Sequence, residues 1–184
     1  MTRVLVVVDY QNDFVDGALG FEASANLKSG IIDMIHEVGK SGGYLLATQD
    51  THDSGYMNTV EGKNLPIEHC IRGTKGWEIE EDVMNALKCY MPKIIEKETF
   101  GSLHLATEIR TIEMMERKIG NNGQFTLEFC GVVTDKCVLN NVIIAKAAAP
   151  NARIIVHSNL CASNDENLHN MTLDVLRAMH VEVV

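Results

Sequence analysis

Cys137 is the residue of this chain whose setting most strongly suggests covalent chemistry. An apolar run from Phe125 to Val133, broken by polar Thr126 and Glu128, predicts a buried strand. Thr134 and Asp135 then predict a helix start, because their side-chain oxygens can accept free N–H groups of the first turn. A cysteine in that turn lies near the positive end of the helix dipole, which favours the thiolate. Cys137 is therefore a candidate nucleophile, although a buried cysteine is often only a small apolar core residue.

The elements that must position Cys137 alternate between short apolar runs and segments of helical period. This alternation predicts βαβ units and a parallel sheet covered by helices on both faces. We expect an α/β fold, a three-layer α/β/α sandwich around a six-stranded, mostly parallel sheet, with residues 1–184 in a single domain. The predicted strands are 4–8, 44–48, 93–96, 125–132, 153–156 and 181–184, and the predicted helices are 24–38, 79–87, 103–119, 136–149 and 165–179.

Several polar side chains stand where the predicted strands end. In a parallel sheet these carboxyl ends meet on one edge, where ligands bind. The first four strands bring Asp9, the pair Asp50 and His52, Lys97, and Cys137 to this edge. A carboxylate, an amine and a thiol in one place predict a reactive site. His157 ends the fifth predicted strand, so a Cys137–His157 dyad is the alternative arrangement.

Five segments resemble, in order, motifs of the isochorismatase-like cysteine hydrolases, a superfamily that includes nicotinamidases, N-carbamoylsarcosine amidases and ureidoacrylate amidases. Together they extend over nearly the whole chain. They are V-V-V-D-Y-Q-N-D-F (Val6 to Phe14), A-T-Q-D-T-H (Ala47 to His52), L-P-I-E-H-C-I-R-G-T-K-G (Leu65 to Gly76), I-E-K-E-T-F-G-S (Ile95 to Ser102) and F-C-G-V-V-T-D-K-C-V (Phe129 to Val138).

The resemblance implies a catalytic triad of Asp9, Lys97 and Cys137. Asp9 would take the thiol proton, and charged Lys97 would hold both anions in place. Cys137 would attack an amide carbonyl, expel ammonia or an amine, and leave a thioester for water to hydrolyse. The family also has a cis peptide bond before this helix, which by position joins Val132 to Val133. It would aim the Val133 N–H alongside that of Cys137 as an oxyanion hole.

The resemblance also implies a metal site. In nicotinamidases an Asp-x-His at the end of the second strand and a later His bind a divalent ion, usually zinc. Asp50, His52 and His69 match these positions, and mixed carboxylate and imidazole ligands suit zinc. Thr51 stands where the family usually has an aromatic residue, and many relatives keep a polar version of this segment without a metal. A metal-free site is therefore the alternative, and no organic cofactor is expected.

The expected substrate is a small amide, with a nicotinamide-like molecule as the first hypothesis. A carbamoyl or ureido substrate cleaved by the same triad without metal is the second, and a non-catalytic binding protein of the same fold is the third. Phe14, Phe100 and Trp77 are candidates to line an apolar substrate pocket. The segment from Gly55 to Gly76 has no clear period and is expected to shape that pocket.

Composition excludes several classes of partner. The formal net charge of −9 argues against nucleic acid and against anionic membranes, since both need basic surface. No apolar run approaches the roughly 20 residues needed to span a bilayer, and the first residues do not form a signal peptide, so we expect a cytoplasmic protein. Five scattered cysteines without a CxxC pair predict no disulfide framework. The resemblance implies a homo-oligomer, dimer or tetramer.

Overall fold

A single parallel sheet of six strands forms the centre of the computed structural model, which describes residues 1–184. The predicted α/β fold is confirmed, since every strand pair in the sheet is parallel. The strands are β1 (Thr2–Val8), β2 (Tyr44–Asp50), β3 (Lys93–Lys97), β4 (Phe125–Val132), β5 (Arg153–Ala162) and β6 (Glu182–Val183).

The strands lie in the order β3-β2-β1-β4-β5-β6. The chain therefore builds the sheet outward from β1 in one direction and then, from β4 onward, in the other. In open α/β sheets the crevice beyond the carboxyl ends of the strands, at such a reversal, is the usual ligand site. Here that crevice lies beyond β1 and β4, the strands that precede Asp9 and Cys137.

Helices cover both faces of the sheet, and none of them combines the length and apolar content needed to cross a bilayer. They are α1 (Asn12–Val15), α2 (Glu22–Ala25), α3 (Lys28–Lys40), α4 (Val60–Asn64), α5 (Glu81–Lys88), α6 (Leu103–Lys118), α7 (Leu139–Ala148) and α8 (Glu166–Ala178), with a 3-10 turn at Tyr56–Asn58 and a π-helical turn at Thr134–Val138.

The core has two apolar layers, one on each face of the sheet. Because successive side chains of a strand point to opposite faces, Val4, Val6 and Val8 of β1 pack in the layer beneath α6, α7 and α8. Leu5 and Val7 pack in the other layer, beneath α3 and α5. β1 is thus buried on both faces, as its unbroken apolar sequence predicts.

Three predicted elements outside the turn that carries Cys137 differ from those observed. The helix predicted from Ser24 or Asn26 is divided into α2 and α3. The strand predicted to end at Val156 continues to Ala162 after an irregularity in its pairing with β4. The segment from Gly55 to Gly76 is less irregular than predicted, because it contains the 3-10 turn and α4.

Gly131, near the end of β4, allows β1 and β4 to approach closely beside the site. Its φ of +115° is a conformation that residues with a side chain rarely adopt. A Cβ at this position would also collide with the carbonyl oxygen of Val8. A glycine is therefore required where the strands that carry Asp9 and Cys137 come together.

Candidate active site

Asp9, Lys97 and Cys137 meet at the carboxyl edge of the sheet. The Lys97 Nζ lies 2.7 Å from Asp9 Oδ2 and 3.6 Å from Cys137 Sγ. All three residues are buried. They come from the loop after β1, the end of β3 and the turn after β4, so the topology brings together residues that are up to 128 positions apart.

A second carboxylate shares the lysine. The Lys97 ammonium donates to Asp50 Oδ1 at 3.0 Å as well as contacting Asp9. Burial alone would lower the pKa of Lys97, but the negative charges of Asp9 and Asp50 outweigh burial and hold its pKa well above the ordinary value. Lys97 is therefore a permanent cation between two carboxylates.

The backbone and side-chain contacts of Asp9 fix its carboxylate against the lysine. Asp9 has a φ of +44°, in the left-handed region, which is uncommon for a residue with a side chain and typical of functional sites. The Thr48 hydroxyl donates to Asp9 Oδ1 at 2.7 Å. Oδ2 lies 2.7 Å from the Lys97 Nζ. Thr48 and Lys97 thus hold the two oxygens of this carboxylate in place.

The titration behaviour of Asp9 and Cys137 suits proton transfer between them. Burial raises the pKa of Asp9, and the nearby Asp50 adds to this effect, so that the opposing pull of Lys97 is overcome. Burial also raises the pKa of Cys137 well above its ordinary value, despite the neighbouring Lys97. The low-pKa thiolate predicted from the helix position is therefore wrong for the resting protein. The thiol is neutral until its proton moves.

The turn that carries Cys137 is not the capped α-helix start that the sequence predicts. Thr134 and Asp135 make no capping bonds to the first turn. The Thr134 hydroxyl bonds His169 Nδ1 at 2.9 Å, and the Asp135 carboxylate bonds Lys136 and Ser163. The chain instead forms a π-helical turn over Thr134–Val138 before α7 begins. Such turns are rare and are frequently found at functional sites.

The Val133 N–H lies beside this turn and donates to no other atom of the protein. The peptide bond between Val132 and Val133 is cis. The Val133 carbonyl, in contrast, accepts two N–H groups, from Lys136 and Val138. Val133 therefore offers an unused donor next to Cys137, at the position expected for an oxyanion hole.

Asp50, His52 and His69 form a buried cluster next to the triad. Their ligand atoms all lie within 4.8 Å of one another. The Nε2 atoms of His52 and His69 lie 3.1 Å and 3.5 Å from Asp50 Oδ2. Burial alone would raise the pKa of Asp50, but bonds to both histidines, with the Lys97 charge, hold it below its usual range. One carboxylate and two imidazoles at this separation form a donor set that a divalent ion such as zinc accepts.

The hydrogen bond of His69 fits metal binding. Its Nδ1 faces the Ile67 carbonyl at 2.9 Å, and a carbonyl only accepts, so Nδ1 carries the proton. In a neutral His69 the Nε2 lone pair then points at the Asp50 carboxylate, and a cation between them relieves that repulsion. Metal-binding histidines almost always donate their second ring N–H to a carboxylate, a backbone carbonyl or a water, and the Ile67 carbonyl is such a partner.

Sequence reasoning missed Glu61, because it lies in a segment that was predicted to be irregular. The Glu61 Oε1 is 3.9 Å from His69 Nε2, and its side chain is only 21% exposed. Burial raises the pKa of Glu61, with Asp50 adding to the effect. The position of α4 brings Glu61 to the cluster of Asp50, His52 and His69. No spacing in the sequence indicates that Glu61 would lie there.

A pocket of about 100 Å³ opens onto Cys137, and most of its walls are apolar. Its size suits a small molecule rather than a large one. Phe14 and Phe100 lie in its walls, as the sequence predicts, whereas Trp77 does not. The lining residues are Phe14, Leu19, Phe21, Asp50, Glu61, Leu65, His69, Phe100, Val133, Lys136, Cys137 and Asn164.

Two predicted candidates are held elsewhere. The Trp77 indole donates to Thr51 Oγ1 at 2.9 Å, and the Arg72 guanidinium lies 5.8 Å from its ring centre. The indole is therefore fixed outside the pocket. His157 contacts Glu128 at 2.9 Å within the sheet. It does not lie at the carboxyl edge, because β5 continues beyond His157 to Ala162. The structure thus contradicts a Cys137–His157 dyad.

Comparison with known proteins gives a consistent result. The chain is 30% identical over 179 residues to an uncharacterized isochorismatase family protein, PncA, of Bacillus subtilis (strain 168), with 94% of this chain and 93% of that protein covered. Among solved structures, a pyrazinamidase/nicotinamidase from Streptococcus mutans UA159 superposes with a TM-score of 0.82 at 24% identity, covering both chains completely.

A second solved structure contains a metal. The pyrazinamidase of Pyrococcus horikoshii in complex with zinc superposes with a TM-score of 0.77 at 21% identity, covering 100% of this chain and 99% of that one. At these identities the two structures establish the fold alone. The Isochorismatase domain pattern, however, matches residues 3–184, nearly the whole length. The chain therefore belongs to the isochorismatase family.

Proposed function

We propose that this protein is a cysteine amidohydrolase that cleaves the C–N bond of a small, nicotinamide-like amide. The proposal depends on the contact of three buried residues, Asp9, Lys97 and Cys137. The Lys97 Nζ lies 2.7 Å from the Asp9 carboxylate and 3.6 Å from the Cys137 thiol. A thiol, a base and a fixed cation in one site are the parts that nucleophilic acyl transfer needs. The relatives named as nicotinamidases and pyrazinamidases support the substrate class.

In the proposed reaction the amide carbonyl carbon lies against Cys137 Sγ. Asp9 takes the thiol proton, and the sulfur forms a bond to the carbonyl carbon. The oxyanion that develops accepts hydrogen bonds from the N–H groups of Val133 and Cys137. Lys97 stays charged and stabilises the thiolate as it forms.

The same carboxyl group completes the reaction. Asp9 gives its proton to the leaving nitrogen, the C–N bond breaks, and ammonia departs from a thioester on Cys137. Asp9, again ionised, then takes a proton from a water molecule that attacks the thioester carbon. The C–S bond breaks, Asp9 returns its proton to the sulfur of Cys137, and the acid product leaves.

A divalent ion fits the donor set of Asp50, His52 and His69, and zinc suits this mixture best. When bound, it would act as a Lewis acid that holds a ring nitrogen of the substrate. Phe14 and Phe100 line the apolar part of the pocket and are proposed to contact the ring. Trp77 has no place in this proposal. The predicted cytoplasmic location and homo-oligomeric state stay predictions.

One observation favours the alternative, a carbamoyl or ureido amidase. Lys136 lines the pocket beside Cys137, and a cation there could attract the carboxylate that such substrates carry. Its ammonium is already held by Asp135 at 2.6 Å, which weakens this attraction. The nicotinamide-like substrate is therefore the leading proposal.

Ammonia release from nicotinamide, pyrazinamide, N-carbamoylsarcosine and ureidoacrylate tests both substrates. We expect turnover of at least one pyridine or pyrazine amide, and Cys137→Ala should abolish it while the far-UV circular dichroism is unchanged. Release only from the carbamoyl or ureido compounds supports the alternative. Turnover retained by Cys137→Ala contradicts the mechanism, and no release from any compound favours a binding protein.

A further inference from the structure

Two side chains of the loop after β1 contact the segments that carry the proposed metal ligands. Gln11 and Asp13 lie two and four residues beyond Asp9, and neither belongs to the triad or lines the pocket. Gln11 is fully buried. Both side chains bond only to backbone groups, so their contacts fix the course of the chain.

Asp13 holds the segment that contains His69. Its Oδ2 accepts the N–H of Cys70 at 2.7 Å, and its Oδ1 accepts the N–H of Ala18 at 3.1 Å. The carbonyl of Cys70 accepts the N–H of His52 at 2.9 Å. Cys70, the residue next to His69, is thus hydrogen-bonded through its N–H to the loop after β1 and through its carbonyl to His52, a second proposed ligand.

The backbone at Cys70 shows that these contacts impose its conformation. Cys70 has a φ of +48°, which is uncommon for a residue with a Cβ and persists only where the surroundings determine it. Gly76 lies against Asp13 from the other side. Its carbonyl accepts the Asp13 N–H at 3.0 Å, and a Cβ on Gly76 would collide with the Asp13 carboxylate.

Gln11 holds Asp50 in the same manner. Its Oε1 accepts the Asp50 N–H at 2.7 Å, and its Nε2 donates to the Asp50 carbonyl at 2.8 Å. Both backbone groups of this residue are therefore fixed by one amide. The Asp50 side chain then has its direction set before any ion binds.

We infer that Asp13 and Gln11 are positioning residues that hold His69 and Asp50 at metal-binding separation. The inference rests on the proposed metal site. Ligands held in place lose little freedom on binding, so the ion binds more tightly than it would to mobile side chains. Removing such supporting contacts typically weakens metal binding by about 10- to 100-fold.

The test is a zinc titration of the full-length protein against a chromophoric chelator. Asp13→Ala and Gln11→Ala should each raise the zinc Kd by about 10- to 100-fold. Asp13→Asn keeps one carbonyl acceptor and should lie between Asp13→Ala and the unaltered protein. The visible spectrum of bound Co²⁺ should also change in Asp13→Ala, because a ligand is displaced.

Glu80→Ala is the matched control. The Glu80 carboxylate also accepts two backbone N–H groups, from Asp82 and Val83, but touches none of the proposed ligands. Its zinc Kd should stay within about threefold of the unaltered protein, well below the loss that supporting contacts cause. An equal loss in this control would overturn the inference.

Three other results decide the outcome. A folded Asp13→Ala protein with an unchanged zinc Kd overturns the inference. If Asp13→Ala does not fold, Asp13→Asn decides, and an unchanged Kd there overturns it as well. If the unaltered protein binds no zinc, the inference fails, while ammonia release remains a separate test of the proposed function.

Discussion

At the scale of single residues, the site is defined by a charge imbalance. Asp9 and Asp50 share one cation, Lys97, and all three side chains are buried. A thiolate added to this group would be a third anion beside a single ammonium. Burial raises the pKa of Cys137, and the charges of Asp9 and Asp50 add to this effect, so the neutral thiol is favoured although the position early in a helix would suggest the opposite.

The reactivity of Cys137 should follow from this imbalance. Because its pKa lies above the ordinary value for a thiol, we expect alkylation by iodoacetamide at pH 7 to be slower than at the exposed Cys89. Only the thiolate reacts, so the rate at Cys137 should keep increasing with pH above about 9. Peptide mass spectrometry of chelator-treated protein between pH 6 and 10 measures both rates.

Cys89→Ser provides the control for this measurement, because it removes the exposed thiol without touching the site. The rate at Cys137 should be the same in that variant. Faster alkylation of Cys137 than of Cys89 at pH 7 would show a thiolate in the resting protein. In that case Asp9 would not need to act as a base in the first step.

Residue types and motif order predict the triad and the histidine cluster, but not the direction of every side chain. Asp9 and Cys137 follow largely apolar strands and Lys97 ends the short β3, but it was the resemblance of the surrounding motifs to a known family that identified these three residues as a triad. Trp77 could not be placed, since its orientation depends on Thr51, which is remote in sequence. Glu61 was missed for a related reason, because a five-residue helix such as α4 depends on tertiary packing rather than on a local sequence pattern.

At the scale of elements, a partly buried ion-pair network centred on Glu128 joins three strands on the α3 face of the sheet. Glu128 of β4 accepts from Arg3 of β1 at 2.5 Å and contacts His157 of β5 at 2.9 Å. Burial would raise the pKa of Glu128, but the bonds to His157 and Arg3 outweigh it and lower the pKa to about 2. This network also explains why a glutamate interrupts an otherwise apolar strand.

Acid should therefore weaken this network in a defined pH range. The folded-state pKa of Glu128 is depressed from 4.5 to about 2, so its stabilisation is fully present above pH 4.5 and lost as pH falls towards 2. The difference corresponds to about 3 kcal/mol of unfolding free energy. The unfolding free energy, measured with urea, should therefore fall by about 3 kcal/mol less between pH 5 and 2 in Glu128→Gln than in the unaltered protein.

Glu37→Gln is the matched control for this effect. Glu37 also contacts Arg3, at 2.6 Å, but its side chain is 62% exposed, and exposed pairs contribute little. The unfolding free energy of Glu37→Gln should depend on pH in the same way as that of the unaltered protein. Equal pH dependence in Glu128→Gln and the unaltered protein would show that Glu128 titrates normally in the folded state.

The elements themselves were largely predictable, and the exceptions have physical causes. β1 contains the unbroken apolar run 4–8, and β4 is apolar except at Thr126 and Glu128, so the positions of both strands follow from burial. The turn around Cys137 did not follow from capping rules. Thr134 and Asp135 are used by His169 and Ser163 instead, and these partners come from later in the chain.

At the scale of the whole molecule, the sheet order places the site at a junction of segments that are distant in sequence. The bridge between His52 and Ile71 joins the end of β2 to the segment before Gly76. Asp50 of β2 and His69 of that segment then meet beside Lys97 of β3. A bound ion would therefore cross-link parts of the chain that only folding brings together.

Zinc should stabilise the folded protein through this cross-link. At a free zinc concentration of 100 times Kd, an ion that binds only the folded state adds about 2.7 kcal/mol. For a chain of this size that corresponds to a rise in Tm of roughly 5–10 °C. Calorimetry with zinc and with EDTA measures the shift.

His69→Ala should lose the zinc-dependent rise in Tm. His36→Ala, which alters a histidine bonded to Tyr90, should keep this rise and is the matched control. An equal shift in His69→Ala would mean that zinc binds elsewhere on the protein.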